Sequence, residues 1–398
     1  MPEDAMADVA IVGAGPAGLC LAVELAAMGL TVSVVDRAPY TALAEPGDDG
    51  REIALTHTSR RQLAWAGIWQ RIDERSAAPI REARLYNGDG DTPQAMTLAG
   101  AERSPSQTIG QLVPNRVIRR AAFEAALADS RITLITGQGV SALETSPSAR
   151  ILRLEDGRRL AARLVVAADG RMSATRRMAG LPAHLEDTGR KVLVCRMAHE
   201  RPHSELTWSW FGYERALALL PLNGQTSSVV MTLTPAEAER LESLDVDSFS
   251  ATVSGFYHHC LGDMQRVGEV HSYPLWVGYA QRLVAERLAL IGDAAIGLHP
   301  ATAHGFNVGL ASVHRLSREI SMAHRRGRDI GSPAVLSAYE RAHRRAIRPL
   351  WLASQAIVSL YGDARPPARV LRQAALGLAS QVGPLRWGLE HYLLRDAR

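Results

Sequence analysis

Apolar and polar positions along this 398-residue chain follow the helical period in some stretches and the strand period in others. Val9–Val12 is a short unbroken apolar run, and from Gly18 to Met28 the residues Leu19, Ala22, Val23, Leu25 and Ala26 recur at helical spacing. Gly29 ends that helix, and Thr31–Val35 is a β-branched run closed by Asp36. Strand, helix and strand in that order, with no room for a long loop, predict a parallel doubly wound unit. Leu164–Ala168 and Leu288–Ile291 are apolar runs of the kind buried in a parallel sheet. Arg51–Trp69 reads as a helix with Leu63, Ala64 and Ile68 on one face, and Asn115–Ala128 as another, whereas Thr133–Ile135 and Ile151–Leu154 read as strands. Ala38–Gly50, rich in Pro, Gly and acids, reads as a surface loop. Residues 78–112 read as short strands with turns at Asn87-Gly88 and Asp89-Gly90. Residues 190–278 alternate apolar with polar and break into helical spacing only at Pro235–Leu244 and Val246–Cys260. Beyond Pro333 the pattern is helical, broken at Pro349, Pro366-Pro367 and Pro384.

The expected fold class is therefore α/β. A dinucleotide-binding domain would be built from residues 1–77, 107–185 and 280–345, a substrate domain on an antiparallel sheet from 78–106 and 186–279, and a C-terminal helical segment from 346–398. Hydrophobic residues make up 46% of the chain, which is enough for a sizeable core and argues against disorder. The net charge of +4 is carried almost wholly by Arg, since Lys191 is the only Lys, and the Arg residues are dispersed. With no basic patch interleaved with aromatics, nucleic acid is not an expected partner. Cys20, Cys195 and Cys260 are far apart and form no CxxC pair, so neither a disulfide framework nor a zinc site is expected, and a reducing, cytoplasmic compartment fits. His258-His259 with His271 lack a fitting carboxylate pattern, so no metal is expected. No signal peptide is expected, because the first apolar run feeds a glycine turn; Ala346–Tyr361 is too short and too polar to span a bilayer.

Three stretches carry chemistry. Gly13-Ala14-Gly15-Pro16-Ala17-Gly18 is a GxGxxG turn between strand and helix. Its first Gly permits the tight turn, the second lets a pyrophosphate approach the helix N-terminus, and the third lets helix and strand pack closely. Asp36, about twenty residues on, would accept from an adenosine ribose. This turn leaves NAD and FAD both open. Asp169-Gly170-Arg171-Met172-Ser173 follows the strand ending at Ala168; Ser173 can cap the next helix, and Arg176 can sit over a phosphate or pair with an acid. Gly292-Asp293 follows the last apolar strand, where a carboxylate suits a polyol hydroxyl such as the ribitol of FAD. The run from His299-Pro300 through Ala303-His304-Gly305-Phe306-Asn307 then turns into a helix whose free N–H groups and dipole would stabilise negative charge, as reduced flavin requires.

Taken together, these stations resemble the single-component flavoprotein aromatic hydroxylases, and within them the ubiquinone-biosynthesis hydroxylases of the UbiH, UbiF and UbiM group. Asp49-Gly50-Arg51, Asn115-Arg116, Ala218–Leu222, Ser272–Leu275 and Leu336–Arg341 support the resemblance from Asp8 to about Arg372. It implies a Rossmann-like FAD domain of the GR2 type, similar to p-hydroxybenzoate hydroxylase. By the same resemblance Gly13, Ala14, Gly15, Pro16, Ala17, Gly18, Asp36 and Arg37 would hold the ADP half, with Arg51 and Arg116 at the flavin or its phosphates. Val140 would touch adenine through its backbone, Asp293 would hold ribitol and pyrophosphate, Asp169 and Gly292 would belong to the same cofactor site, and Pro300, Gly305, Phe306 and Asn307 would line the isoalloxazine. His304 adjoins the expected flavin face and is the candidate catalytic side chain, although a solvent-facing His at a helix start explains it equally. NAD(P)H would be the electron donor, and a flavin C4a-hydroperoxide would carry oxygen from O₂ to the ring.

The substrate implied is a prenylated phenol or quinol. A small soluble phenol stays open, as does a prenyl or quinone oxidoreductase that does not use O₂. Such a bilayer-resident substrate implies contact with the inner-membrane surface or a biosynthetic complex. Leu350, Trp351, Ile357, Leu360 and Tyr361 beside Arg344, Arg345 and Arg348 would suit anionic lipid, and packing on the flavin domain accounts for the same pattern. The chain departs from the family at Ile296, where a His is usual, at Ala303-His304-Gly305 for Gly-Gln-Gly, and at Ser312 for Asp. Trp208-Ser209-Trp210 matches the Trp-x-Trp of flavin halogenases, but strand alternation accounts for it.

Overall fold

A computed structural model of the chain describes residues 6–87, 94–98, 108–212, 215–299 and 304–362. The first strand, β1 (Ala7–Val12), lies at the centre of a mixed sheet. It pairs in parallel with β2 (Val32–Asp36) on one side, Ile11 beside Val34, and with Arg159–Ala167 on the other, Ile11 beside Val166. Ile132–Thr136 extends the sheet beyond β2, and Leu288–Leu290 extends it beyond Arg159–Ala167, both in parallel. Helices cover the sheet, so these central strands are almost wholly apolar. The helix α1 (Pro16–Ala26) packs between Asn115–Leu127 and Gly305–His324.

The second large sheet carries two 17-residue strands, Ala183–His199 and Met264–Ala280, paired antiparallel. Thr226–Leu233, Ala216–Pro221, Leu206–Phe211, Glu82–Asn87 and Gln94–Leu98 follow outward in that order. One face packs against helices Pro235–Glu242 and Val246–Phe256 through Leu193, Cys195, Met197, Met231 and Phe249. Trp208 and Trp210 are both buried on that face, as alternation requires. Tyr257 is buried among them, and its hydroxyl sits 3.1 Å from the Ala218 carbonyl and 3.2 Å from that of Val230. The opposite face is also apolar, with Val192, Val194 and Leu275 buried beside Val230 and Tyr273.

Several local expectations need correction. Arg51–Trp69 is not one helix: Glu52–Leu55 is a strand, paired antiparallel with Gly110–Pro114, and the helix starts only at His57 and ends at Trp65. Thr56 begins it by accepting the Ser59 N–H on its hydroxyl. The partner strand that overrides helical periodicity lies more than fifty residues away, beyond the reach of a local pattern. Ala78–Ile80 joins this small sheet rather than the substrate sheet, and Ile296–Gly297 leaves the flavin segment to pair with the substrate sheet at Tyr279 and Gly278. The loop Ala38–Gly50 holds a short helix, Tyr40–Ala44, with Leu43 buried. The helix Pro333–Gly362 runs through Pro349 without a break, so no boundary falls near residue 346. An internal Pro costs about 3 kcal/mol. Burial of Ile347 and Leu350 on either side, and the Trp351 ring 5.0 Å from that of Tyr279, offset it. The turns at Asn87-Gly88 and Asp89-Gly90, and everything after Gly362, lie outside the described residues.

His343 sits on this last helix, 1% exposed, stacked on Tyr339 at 5.7 Å with Arg315 Nη1 3.3 Å from its Nδ1. Its Nε2 has no hydrogen-bond partner among the described residues. Burial, with the Arg315 charge adding to it, pushes the imidazole down to about 3. Folded His343 stays neutral where the unfolded chain binds a proton, so stability is lost as pH falls from about 6.5 toward 3. His343→Phe should lower the slope of unfolding free energy against pH in that window by about 1 kcal/mol per pH unit. Urea titrations of both proteins between pH 4 and 6.5 check this; parallel slopes would refute it.

Candidate active site

Three stretches distant in sequence meet at the carboxyl ends of the parallel strands. The turn after β1 takes Gly13 through φ +111°, and a Cβ there would lie 2.5 Å from the Ala168 carbonyl oxygen. Gly18 presses against the Gly13 carbonyl, so α1 packs on its own entry turn with no space for a side chain. Gly292, at φ +58°, faces the Ala17 methyl, and Gly309 of the helix Gly305–His324 closes on it from the other side, with 3.6 Å from a Gly309 Cβ to the Gly292 Cα. Gly15 and Gly305 differ from these: a Cβ at either would meet nothing within 4 Å. Gly15 caps α1 and Gly305 opens its helix, so each open space adjoins free backbone N–H groups and the positive end of a helix dipole. Tight glycines beneath and open glycines above fit an extended dinucleotide, with pyrophosphate over Gly15 and an anionic ring system over Gly305.

Hydrogen bonds fix the polar groups around these spaces. Asp36 accepts the Ala14 N–H at 2.6 Å and the Ala38 N–H at 2.7 Å, which aims its carboxylate at the glycine turn. The Gly292–Ala294 turn is held from several sides. The Ser312 hydroxyl accepts the Gly292 N–H at 3.0 Å and donates to the Gly309 carbonyl at 2.5 Å. Arg176, 2% exposed, donates to the Ala294 carbonyl at 2.9 Å. The Tyr339 hydroxyl donates to the Leu290 carbonyl at 2.6 Å. Arg176 thus gives one guanidinium nitrogen to a backbone carbonyl, with the Asp169 charge close enough to act on it. Asp293 projects from the turn with 42% of its side chain exposed and accepts from Arg171 Nη2 at 3.1 Å. His299 is buried, and burial first, then Arg171, pushes its imidazole down to about 4.

The other expected residues occupy a ring around this centre. Asp169 accepts the Ser173 hydroxyl at 2.5 Å and the Thr175 N–H at 3.0 Å, while Ser173 accepts the Arg176 N–H, so this pair caps the helix Ala174–Met178. Arg37 pairs with Glu155 at 2.9 Å on the exposed edge; Glu155 also accepts the Gly139 N–H, and Val140 is buried next to it. Arg51 donates to Asp49 through Nη2 at 2.6 Å and Nε at 3.0 Å, and Asn115 reaches the same carboxylate at 2.7 Å. Burial alone would raise the Asp49 carboxyl, but the Arg51 guanidinium outweighs it and holds it below the usual value. Arg116 lies 3.7 Å from Asp48, which Arg196 also meets at 3.2 Å. Asn307 donates to the Ala54 carbonyl at 2.8 Å and accepts the Thr56 N–H at 3.1 Å, tying its helix to the small sheet; Phe306 packs on the core. His304 precedes the helix without capping it by its side chain. Pro16 begins α1, and Pro300 lies outside the described residues. The roles of Arg171, Ser312 and the buried Glu24 were not legible in the sequence. Glu24 accepts from Gln62 at 2.9 Å and Ser317 at 2.5 Å, joining α1 to two other helices beneath the site. The place of Arg171 inside the Asp-Gly run and the departure at Ser312 were the signals that marked two of them.

The fold and the glycine cradle together define a protein that holds an extended dinucleotide, and the similarities that follow make it a flavin-dependent monooxygenase. The family model for the FAD binding domain matches residues 6–351, and the chain belongs to that family. It is 38% identical over 383 residues to ubiquinone hydroxylase UbiM of Neisseria meningitidis, covering 95% of this chain and 82% of that one. With ubiquinone hydroxylase UbiL of Rhodospirillum rubrum it shares 35% identity over 384 residues, 96% of this chain and 88% of the other. Its fold matches p-nitrophenol 4-monooxygenase PnpA from Pseudomonas putida, with a TM-score of 0.75 over 99% of each chain at 15% identity.

Gly15→Val fills open space on an extended backbone, φ −70° and ψ 169°, and should fold normally while its FAD affinity falls by about tenfold or more. Asp293→Ala should likewise be purified without its flavin. Flavin absorbance per protein, beside thermal melting of the apoproteins, reads both; a stable Gly15→Val protein with full flavin would contradict the cradle.

Proposed function

We propose that this monooxygenase hydroxylates the electron-rich ring of a prenylated phenol or quinol intermediate in ubiquinone biosynthesis, using NAD(P)H as electron donor. The observation that carries this reading is similarity along almost the full chain to two ubiquinone hydroxylases. When bound, FAD supplies the reaction with O₂ that protein side chains lack. The chain supplies binding, orientation and exclusion of water. Gly15 and the α1 N-terminus take the pyrophosphate, Asp36 the ribose, and Asp293 the ribitol hydroxyls. The N–H groups opening the helix at Gly305 stabilise negative charge on the ring system. His304 stands beside that ring and is proposed to touch it. The apolar sheet face of Val192, Val194, Val230 and Leu275 suits a prenylated ring better than a small charged phenol.

Such a substrate lives in a bilayer. No helix among the described residues is long and apolar enough to cross a membrane. We infer peripheral contact with the inner-membrane surface, made elsewhere than at Leu350, which is buried, and Trp351, which packs against Tyr279.

Deleting the gene should remove ubiquinone and accumulate a prenylated precursor lacking one ring hydroxyl, read by mass spectrometry of extracted quinones. An unchanged quinone profile, or NAD(P)H oxidation stimulated by simple hydroxybenzoates alone, would overturn the assignment. Turnover without O₂ would replace it with a quinone oxidoreductase. Purified protein should co-sediment with vesicles containing anionic lipid and release at high salt; equal recovery with and without vesicles would discard the membrane contact.

A further inference from the structure

A site that must tolerate a reduced, anionic flavin holds a carboxylate at Asp293, and a carboxylate there opposes the charge that reduction adds. Arg171 is the group that answers it. Its Nη2 donates to Asp293 Oδ2 at 3.1 Å, and its Nη1 donates to the Trp276 carbonyl on the long substrate-domain strand Met264–Ala280. Its stem runs through a slot made by two glycines that are register partners, Gly278 and Gly297. A Cβ at Gly297 would lie 2.5 Å from Arg171 Nε, and one at Gly278 would lie 3.6 Å from its Cγ. Any side chain at Gly297 would push the guanidinium out. The Nε has no hydrogen-bond partner among the described residues, so shape and the two terminal nitrogens hold the group in place. Buried His299 lies close enough to feel its charge and is itself kept neutral. The slot therefore places a cation on Asp293, and it builds that cation's seat from the substrate domain.

We propose that Arg171 is a positioning residue that neutralises Asp293 and so favours the reduced state of the bound flavin. This rests on Asp293 lying beside the flavin, as proposed above. Arg171→Gln keeps a hydrogen-bond donor and removes the charge, and Arg171→Lys keeps the charge. Gly297→Ala leaves Arg171 intact and blocks its seat.

The experiment compares the midpoint potential of bound FAD and the FAD dissociation constant in all four proteins. Arg171→Gln should bind FAD and prefer the oxidised form by about tenfold more than wild type, a potential about 30 mV lower for a two-electron couple. Gly297→Ala should shift the same way, and Arg171→Lys should recover most of the potential. Wild-type potentials in both Arg171→Gln and Gly297→Ala would overturn the proposal. So would Arg171→Lys falling as far as Arg171→Gln, because shape rather than charge would then be at work. A wild-type chain that takes up no FAD would instead sink the flavin assignment, and this inference with it.

Discussion

The contact between the Gly13 turn and the backbone at Ala168 leaves no room for a side chain, and the rest of the site is arranged around it. Because the turn can lie flat on the neighbouring strand, α1 starts directly over the sheet edge and points its N-terminus along the surface. Gly292 and Gly309 repeat the device on the far side of Ala17, which brings the second helix N-terminus to the same edge. Two positive helix ends thus converge on one groove. Each is long enough for its dipole to count, and each opens onto a glycine with nothing packed above it. Close backbone packing below is what creates electrostatic opportunity above.

Much of this was legible in the sequence because it is local. Gly13 to Gly18, Asp36 and Gly292-Asp293 announce themselves through residue type and spacing, and the central strands through unbroken apolar runs. What stayed hidden depends on partners far along the chain. Arg171 needs Gly278, Gly297 and Asp293, all more than a hundred residues away, to become part of a site. Glu52–Leu55 becomes a strand only because Gly110–Pro114 passes beside it. Pro349 reads as a break until the burial of its neighbours is seen to outweigh its cost. Asp169 and Asn307, singled out in the sequence for a cofactor, bond to backbone and hydroxyl groups of the chain, contacts that only the folded structure brings together.

The departures from the family pattern also acquire physical reasons. Ile296 is buried in the apolar core on a two-residue strand that pairs with Tyr279, so an apolar, β-branched residue suits the position. Ser312 replaces an acid with a neutral hydroxyl that both accepts the Gly292 N–H and donates to the Gly309 carbonyl. Position 312 thus adds no negative charge behind the turn, and Asp293 remains the acid of the Gly-Asp turn, answered by Arg171. The charge arrangement of this pocket is thus distributed over residues from both sheets.

The hydrogen bonds that hold the Gly292–Ala294 turn and the Asp36 carboxylate are all made within the chain. Ser312, Arg176, Ala14 and Ala38 supply them. Groups already held in place by the chain lose little ordering entropy on meeting a dinucleotide.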